Sequence, residues 1–185
     1  MTANNDNARQ DYAFRPPGCP EEVPASCKDM KVVITTADNA TYVPGRRKFF
    51  KYRDLGAVAG SGGRMRAFQN ASIEDMVEST GWHYHLCEMQ FVYVLKGELI
   101  IEFEDGTAGH FGAGDSFYLP GGVRHNEVYV SADKDSIEVS VPGVIGTVMC
   151  ERPAGLPAKL RPVGNSKVIG RSFAEDQKKK LAANG

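Results

Sequence analysis

Between Lys48 and Cys150 the chain is built from short runs in which apolar and polar side chains alternate, with glycine and proline between them. KFFKYR, RMRAFQN, FVYVLKG, ELIIEFE, DSFYLP, NEVYV, SIEVSVP and GTVMC follow one another in that order. A period of two belongs to a β-strand with one buried face and one wet face. Many short strands separated by turn residues predict an all-β barrel or sandwich. Lys96-Gly97 and Asp105-Gly106 are turn signals expected to join neighbouring strands as hairpins.

The two ends lack this pattern. Residues 1–47 are polar and proline-bearing (RPPGCPEEVP), with one strand candidate at Lys31-Val-Val-Ile-Thr35. Such a segment has little to bury alone and is expected to be an arm that wraps the domain or a neighbouring subunit. The tail SFAEDQKKKLAANG opens with a capping box, Ser172 followed three residues on by Glu175, and places Lys178, Lys179 and Lys180 toward the negative end of the helix dipole. That predicts a short helix over about 172–183 whose lysines form a solvated face. The expected organisation is an arm (1–47), one barrel (48–150) and a C-terminal extension with the helix (151–185).

Composition narrows the function classes. A chain of 185 residues can bury a sizeable core, and 22 basic against 23 acidic residues leave a net charge of −1, with no electrostatic footprint for nucleic acid. No apolar run approaches the ~20 residues that span a bilayer. The polar start, MTANNDNARQDY, lacks the layout of a signal peptide, so a cytoplasmic location is expected. Cys19, Cys27, Cys87 and Cys150 lack paired metal spacing and read as free thiols, with a Cys19–Cys27 disulfide the alternative for an exported protein.

Two stretches carry candidate chemistry. In GWHYHLCEMQFVYVLKG, His83 and His85 stand two apart, so on a strand both rings project from one face while Trp82 and Tyr84 point away. Such a pair can reach one ion at metal–nitrogen distances of roughly 2.0–2.2 Å. In GDSFYLPGGVRH a glycine turn, a short strand and a proline corner lead to His125.

Together the stretches resemble the two signature motifs of the cupin superfamily. His83, His85 and Gly97 match the first motif, and Gly114, Pro120, Gly122 and His125 match the second, over a resemblance that spans about Lys48 to Pro142. It implies an antiparallel double-stranded β-helix, the jelly-roll barrel, with a metal inside. The motif's asparagine is replaced by Tyr129. Its glutamate falls by count on Gln90, and Glu88, which shares the strand parity of Gln90, is the alternative fourth ligand. The implied site is His83, His85 and His125 with Gln90 or Glu88 around one divalent transition metal. Imidazole and oxygen donors suit Fe, Mn, Zn or Ni, and iron is favoured slightly.

Three neutral imidazoles and an amide would leave the ion its full charge, which favours a small anionic substrate and strengthens the Lewis acid. The expected function is an oxygen-dependent dioxygenase. The alternatives are a redox-neutral lyase or isomerase, resembling manganese cupins that act as hydroxynitrile lyases, and a non-catalytic small-ligand-binding barrel. His110 is a candidate proton carrier, and Arg66, on one strand face with Arg64, a candidate carboxylate clamp. Cys87 reads as packing. The expected partners are a small-molecule substrate and a second copy of the chain in a homodimer, with no nucleic acid and no membrane.

Overall fold

The structure is a computed structural model that describes residues 18, 20 and 22–164. The expected helix over 172–183 and Cys19 lie outside the described residues. Among the described residues twelve strands form two sheets. They are β1 (Val43–Pro44), β2 (Phe50–Asp54), β3 (Arg66–Ser72), β4 (His83–Leu86), β5 (Met89–Lys96), β6 (Glu98–Phe103), β7 (Thr107–Gly112), β8 (Ser116–Pro120), β9 (His125–Val130), β10 (Asp135–Val141), β11 (Gly146–Met149) and β12 (Arg161–Gly164). One sheet runs β1-β2-β3-β10-β5-β8 and the other β11-β4-β9-β6-β7-β12. Every pairing is antiparallel except β12 on β7. The all-β fold expected from the alternating runs is therefore what the chain forms, and its two sheets are consistent with the jelly roll that the resemblance implies. Among the described residues no helix is long and apolar enough to cross a membrane, and Cys27, Cys87 and Cys150 are free thiols.

The core lies where the inward faces of the sheets meet. Phe50 of β2, Val94 of β5, Leu99 and Ile101 of β6 and Val130 of β9 pack there with Phe49 and Met76. Each is on one parity of its strand, as alternation requires. Phe50, Leu99, Ile101 and Val130 also floor a cavity that opens between the sheets.

Two local expectations need correction. Lys31 to Thr35 runs extended but joins no sheet, and Val32 and Ile34 stand 90% and 81% exposed. Its contacts are with the short turn of helix at Ala57–Gly60, where the Lys31 amide donates to the Gly60 carbonyl at 2.9 Å. The pattern of β-branched residues was right for extended backbone and silent about a pairing partner.

Lys96-Gly97 is not a hairpin either, because β5 and β6 lie in different sheets. Gly97 instead turns the chain from one sheet to the other at φ +69°, and a Cβ there would meet the Lys134 backbone nitrogen at 2.7 Å. Only glycine fits such a corner without strain. Asp105-Gly106 does close the β6–β7 hairpin, with Gly106 at φ +83° and the Asp105 carboxylate accepting from the Thr107 amide at 2.9 Å.

Candidate metal centre

Strand alternation and one loop bring the histidines together. His83 and His85 lie on the inward face of β4, and β9 runs beside it with His125 directly opposite His83. The loop between β8 and β9 fixes that register. Gly121 donates its amide to the Glu88 carbonyl and Gly122 to the His85 carbonyl, each at 3.0 Å. A Cβ on Gly121 would fall onto the Cys87 carbonyl, and Gly122 sits at φ +81°. The two glycines thus let the loop lie flat against the corner that follows β4, which delivers His125 to the partner histidines.

The three rings form a tight cluster. Centroids are 4.3 Å apart for His83 and His125, 5.1 Å for His85 and His125, and 5.3 Å for His83 and His85. One ring nitrogen from each lies within 4.8 Å of the others. His83 donates Nδ1–H to the Gly81 carbonyl at 2.7 Å and His125 donates Nδ1–H to the Val123 carbonyl at 2.9 Å. A carbonyl can only accept, so in both rings Nε2 is the acceptor nitrogen, and at His83 it faces the Arg46 guanidinium. The same tautomer of His85 donates to the Thr147 hydroxyl at 3.1 Å, across the β4–β11 ladder. Ring orientation fixed through Nδ1 with Nε2 directed inward is the arrangement by which a protein presents imidazole to a metal.

Burial disfavours the charged form of His83 and His85. It pushes the His83 imidazole below its usual range. At His85 burial, followed by His125 and His83, lowers the value to about 3. A metal therefore meets lone pairs rather than protons. The sign of the pH effect follows for the metal-free protein. The unfolded chain takes up a proton on this imidazole below about 6.5, whereas the folded ring resists protonation until about pH 3. Unfolded protein binds more protons in that window, so stability falls as pH drops through it. Urea denaturation of the stripped protein at pH 7.5 and pH 5 should show a lower midpoint at the lower pH. Equal midpoints would contradict a neutral His85.

Other sequence candidates are distributed unevenly around the rings. Gln90 enters the cavity, 6% exposed, and donates Nε2–H to Glu138 at 3.2 Å, so its ligand-capable atom is Oε1. Glu88 is exposed at the corner between β4 and β5. The parity shared by the two residues does not carry across that corner, because β4 ends at Leu86 and β5 starts at Met89. Arg66 lines the cavity with its guanidinium 4.2 Å over the Phe68 ring, and its Nε has no hydrogen-bond partner among the described residues. His110 does not line the cavity. It bonds Glu98 at 2.7 Å across the β6–β7 hairpin, the geometry of a strand-face ion pair.

Four charged residues in the cavity were not singled out from the sequence. Arg46, from the turn after β1, places Nη2 3.4 Å from His83 Nε2. Glu127, two residues past His125 on β9, places Oε2 3.8 Å from the same nitrogen and accepts a hydrogen bond from the Thr80 hydroxyl. Burial pushes the Glu127 carboxyl upward, whereas the Thr80 hydroxyl and the Arg46 guanidinium favour its charged form. Glu138 of β10 accepts from Asn70 at 2.5 Å and lies 3.9 Å from the buried ammonium of Lys134. The cavity measures about 200 Å³, room for a small organic molecule.

A double sheet that points three imidazoles at one another from two neighbouring strands is an arrangement that could hold a metal ion. The family model described as Cupin domain matches residues 74–135, which span both histidine strands. That match covers about a third of the chain, and over it the chain is similar to a cupin domain.

No curated protein matches the chain. Among solved structures, KdgF from Halomonas sp. superposes with a TM-score of 0.51 at 16% identity, covering 62% of this chain and 96% of that one. The polyketide cyclase RemF from Streptomyces resistomycificus gives a TM-score of 0.51 at 20% identity, covering 66% and 87%. Hydroxypropylphosphonic acid epoxidase from S. wedmorenis gives 0.50 at 16% identity, covering 60% and 61%. At these identities the likeness is one of fold.

Proposed function

We propose that His83, His85 and His125 hold one divalent transition-metal ion, with the Gln90 amide oxygen beside them, and that the protein is an enzyme acting on a small organic anion. The observation that carries this reading is the set of three ring nitrogens within 4.8 Å of one another, two of the rings being fixed by Nδ1–H bonds to backbone carbonyls. Neutral nitrogen and oxygen donors suit iron, manganese, zinc or nickel. When bound, such an ion supplies Lewis acidity and open positions for substrate.

The chain's own residues supply the rest. Arg46 and Arg66 line the cavity, and the unpartnered Nε of Arg66 is a donor suited to a carboxylate. Phe50, Val92, Leu119 and their neighbours exclude water from the floor, which strengthens every charge interaction above it.

The reaction class we favour is oxygen-dependent oxidation or cleavage, because neutral donors leave positions for both substrate and oxygen. Glu127 supports a second reading. A carboxylate beside His83 suits proton transfer in a redox-neutral lyase or isomerase. Oxygen uptake by the iron-loaded protein with thiols, diketones and phenols separates the two. Uptake dependent on one of these anions fits the first reading. Silence with all of them, alongside turnover in a cyanohydrin or isomerase assay, assigns the second. A protein that binds organic anions equally well without metal and turns none over is a binding module.

A further inference from the structure

The first motif lacks its carboxylate, and the cavity nevertheless contains one at the cluster. β9 carries His125 and Glu127 with the regular two-residue spacing, so both side chains face the cavity. The ladder to β6 slips only after Glu127: Ile101 pairs with Glu127 and Ile100 with Tyr129. That bulge re-aims the strand just beyond the two residues, a common place for one beside a site.

Thr80 pins the carboxylate in place. The Thr80 hydroxyl donates to Glu127 Oε2, and the Glu127 amide donates back to Thr80 Oγ1 at 3.0 Å. The Thr80 amide donates to the Glu127 carbonyl, also at 3.0 Å. The result holds Oε2 3.8 Å from His83 Nε2, with 20% of the side chain exposed. Two donors that share an ion at about 2.1 Å each stand roughly 3–4 Å apart, so this separation is that of two ligands of one ion. Glu138, the other acid in the cavity, is committed to Asn70, Gln90 and Lys134.

We infer that Glu127 is the anionic ligand of the metal centre, so that the carboxylate comes from the second histidine strand instead of the first. Among the described residues the mutual 4.8 Å grouping of ligand atoms contains the three histidines only, and Glu127, which lies 3.8 Å from His83 alone, would close in from that side on the bound ion. The bound centre then carries one positive charge, and Gln90 is free to position substrate from its anchor on Glu138. The inference rests on the metal site proposed above, and its test separates the two.

The test titrates the full-length protein, stripped of metal, with Co(II) read by visible absorption and with Zn(II) against a competing chelator. Glu127→Gln preserves the shape and an oxygen acceptor for Thr80. It should weaken Zn(II) binding by more than about 100-fold, the upper end for loss of a residue that only supports a ligand. It should also change the Co(II) band, which reports the donor set. Glu127→Asp keeps the charge but shortens the reach, and it should lose affinity as well. The double variant Glu127→Gln with Gln90→Glu, which returns the carboxylate to β5, should recover most of the loss. Thermal melting of each metal-free variant checks the fold. A Co(II) spectrum for Glu127→Gln that superposes on the parent's overturns the inference, whether or not affinity changes. A parent protein that binds neither ion overturns the metal site itself.

Discussion

His125→Ala is expected to abolish stable metal binding while leaving the barrel folded. A structural zinc site is worth ~10–16 kcal/mol, so one donor in three or four accounts for about 3–5 kcal/mol, on the order of 1,000-fold in affinity. The cost to the metal-free fold is far smaller. The His125 ring faces a cavity and packs against other imidazoles, and among the described residues it hydrogen-bonds the Val123 carbonyl. Losing that bond costs about 1 kcal/mol. Competitive zinc titration combined with melting of the stripped protein reads the two effects separately. A large loss of melting temperature with unchanged metal affinity would assign the histidine a packing role.

Glu138→Ala should be the most damaging single change to stability within the cavity wall. Lys134 is 2% exposed, and the carboxylate 3.9 Å from its ammonium is the acid closest to it. Its other contacts are the Asn70 carbonyl at 3.2 Å and the Phe50 ring at 5.0 Å. Burial already pulls the Lys134 ammonium below its usual range, and Glu138 is the main influence that opposes this. Removing one partner of a buried pair typically costs about 3–5 kcal/mol, because the remaining charge is left without compensation. Asn70 and Gln90 lose an acceptor at the same time. Lys134→Met combined with Glu138→Leu should recover most of the loss, since a matched apolar pair removes both desolvation costs. Urea denaturation of the three proteins gives the comparison. A Glu138→Ala variant within about 0.5 kcal/mol of the parent would show that water already solvates the pair.

How much of this could be read beforehand differs from residue to residue. The alternating runs located β2, β3, β5, β6, β8, β9, β10 and β11. His83 and His85 were legible as a pair because they lie inside one uninterrupted strand. Parity misled at Glu88, where the chain turns between β4 and β5. It would have found Glu127, which is two residues from His125 in the run NEVYV and needed only to be counted forward from the histidine.

Arg46, Lys134 and Glu138 reach the cavity from segments remote in sequence, and local pattern holds no record of such meetings. The same limit explains Lys96-Gly97. A turn signal says that the chain reverses, and only the long-range pairing of β5 with β10 and of β6 with β9 shows that the reversal passes between sheets.

The most direct test is diffraction from crystals of the metal-loaded protein, collected above and below the absorption edge of the metal. The account predicts a single anomalous peak inside the barrel, about 2.0–2.2 Å from a ring nitrogen of each of His83, His85 and His125. No peak at that position, or one at the surface with the three rings left unliganded, would contradict it.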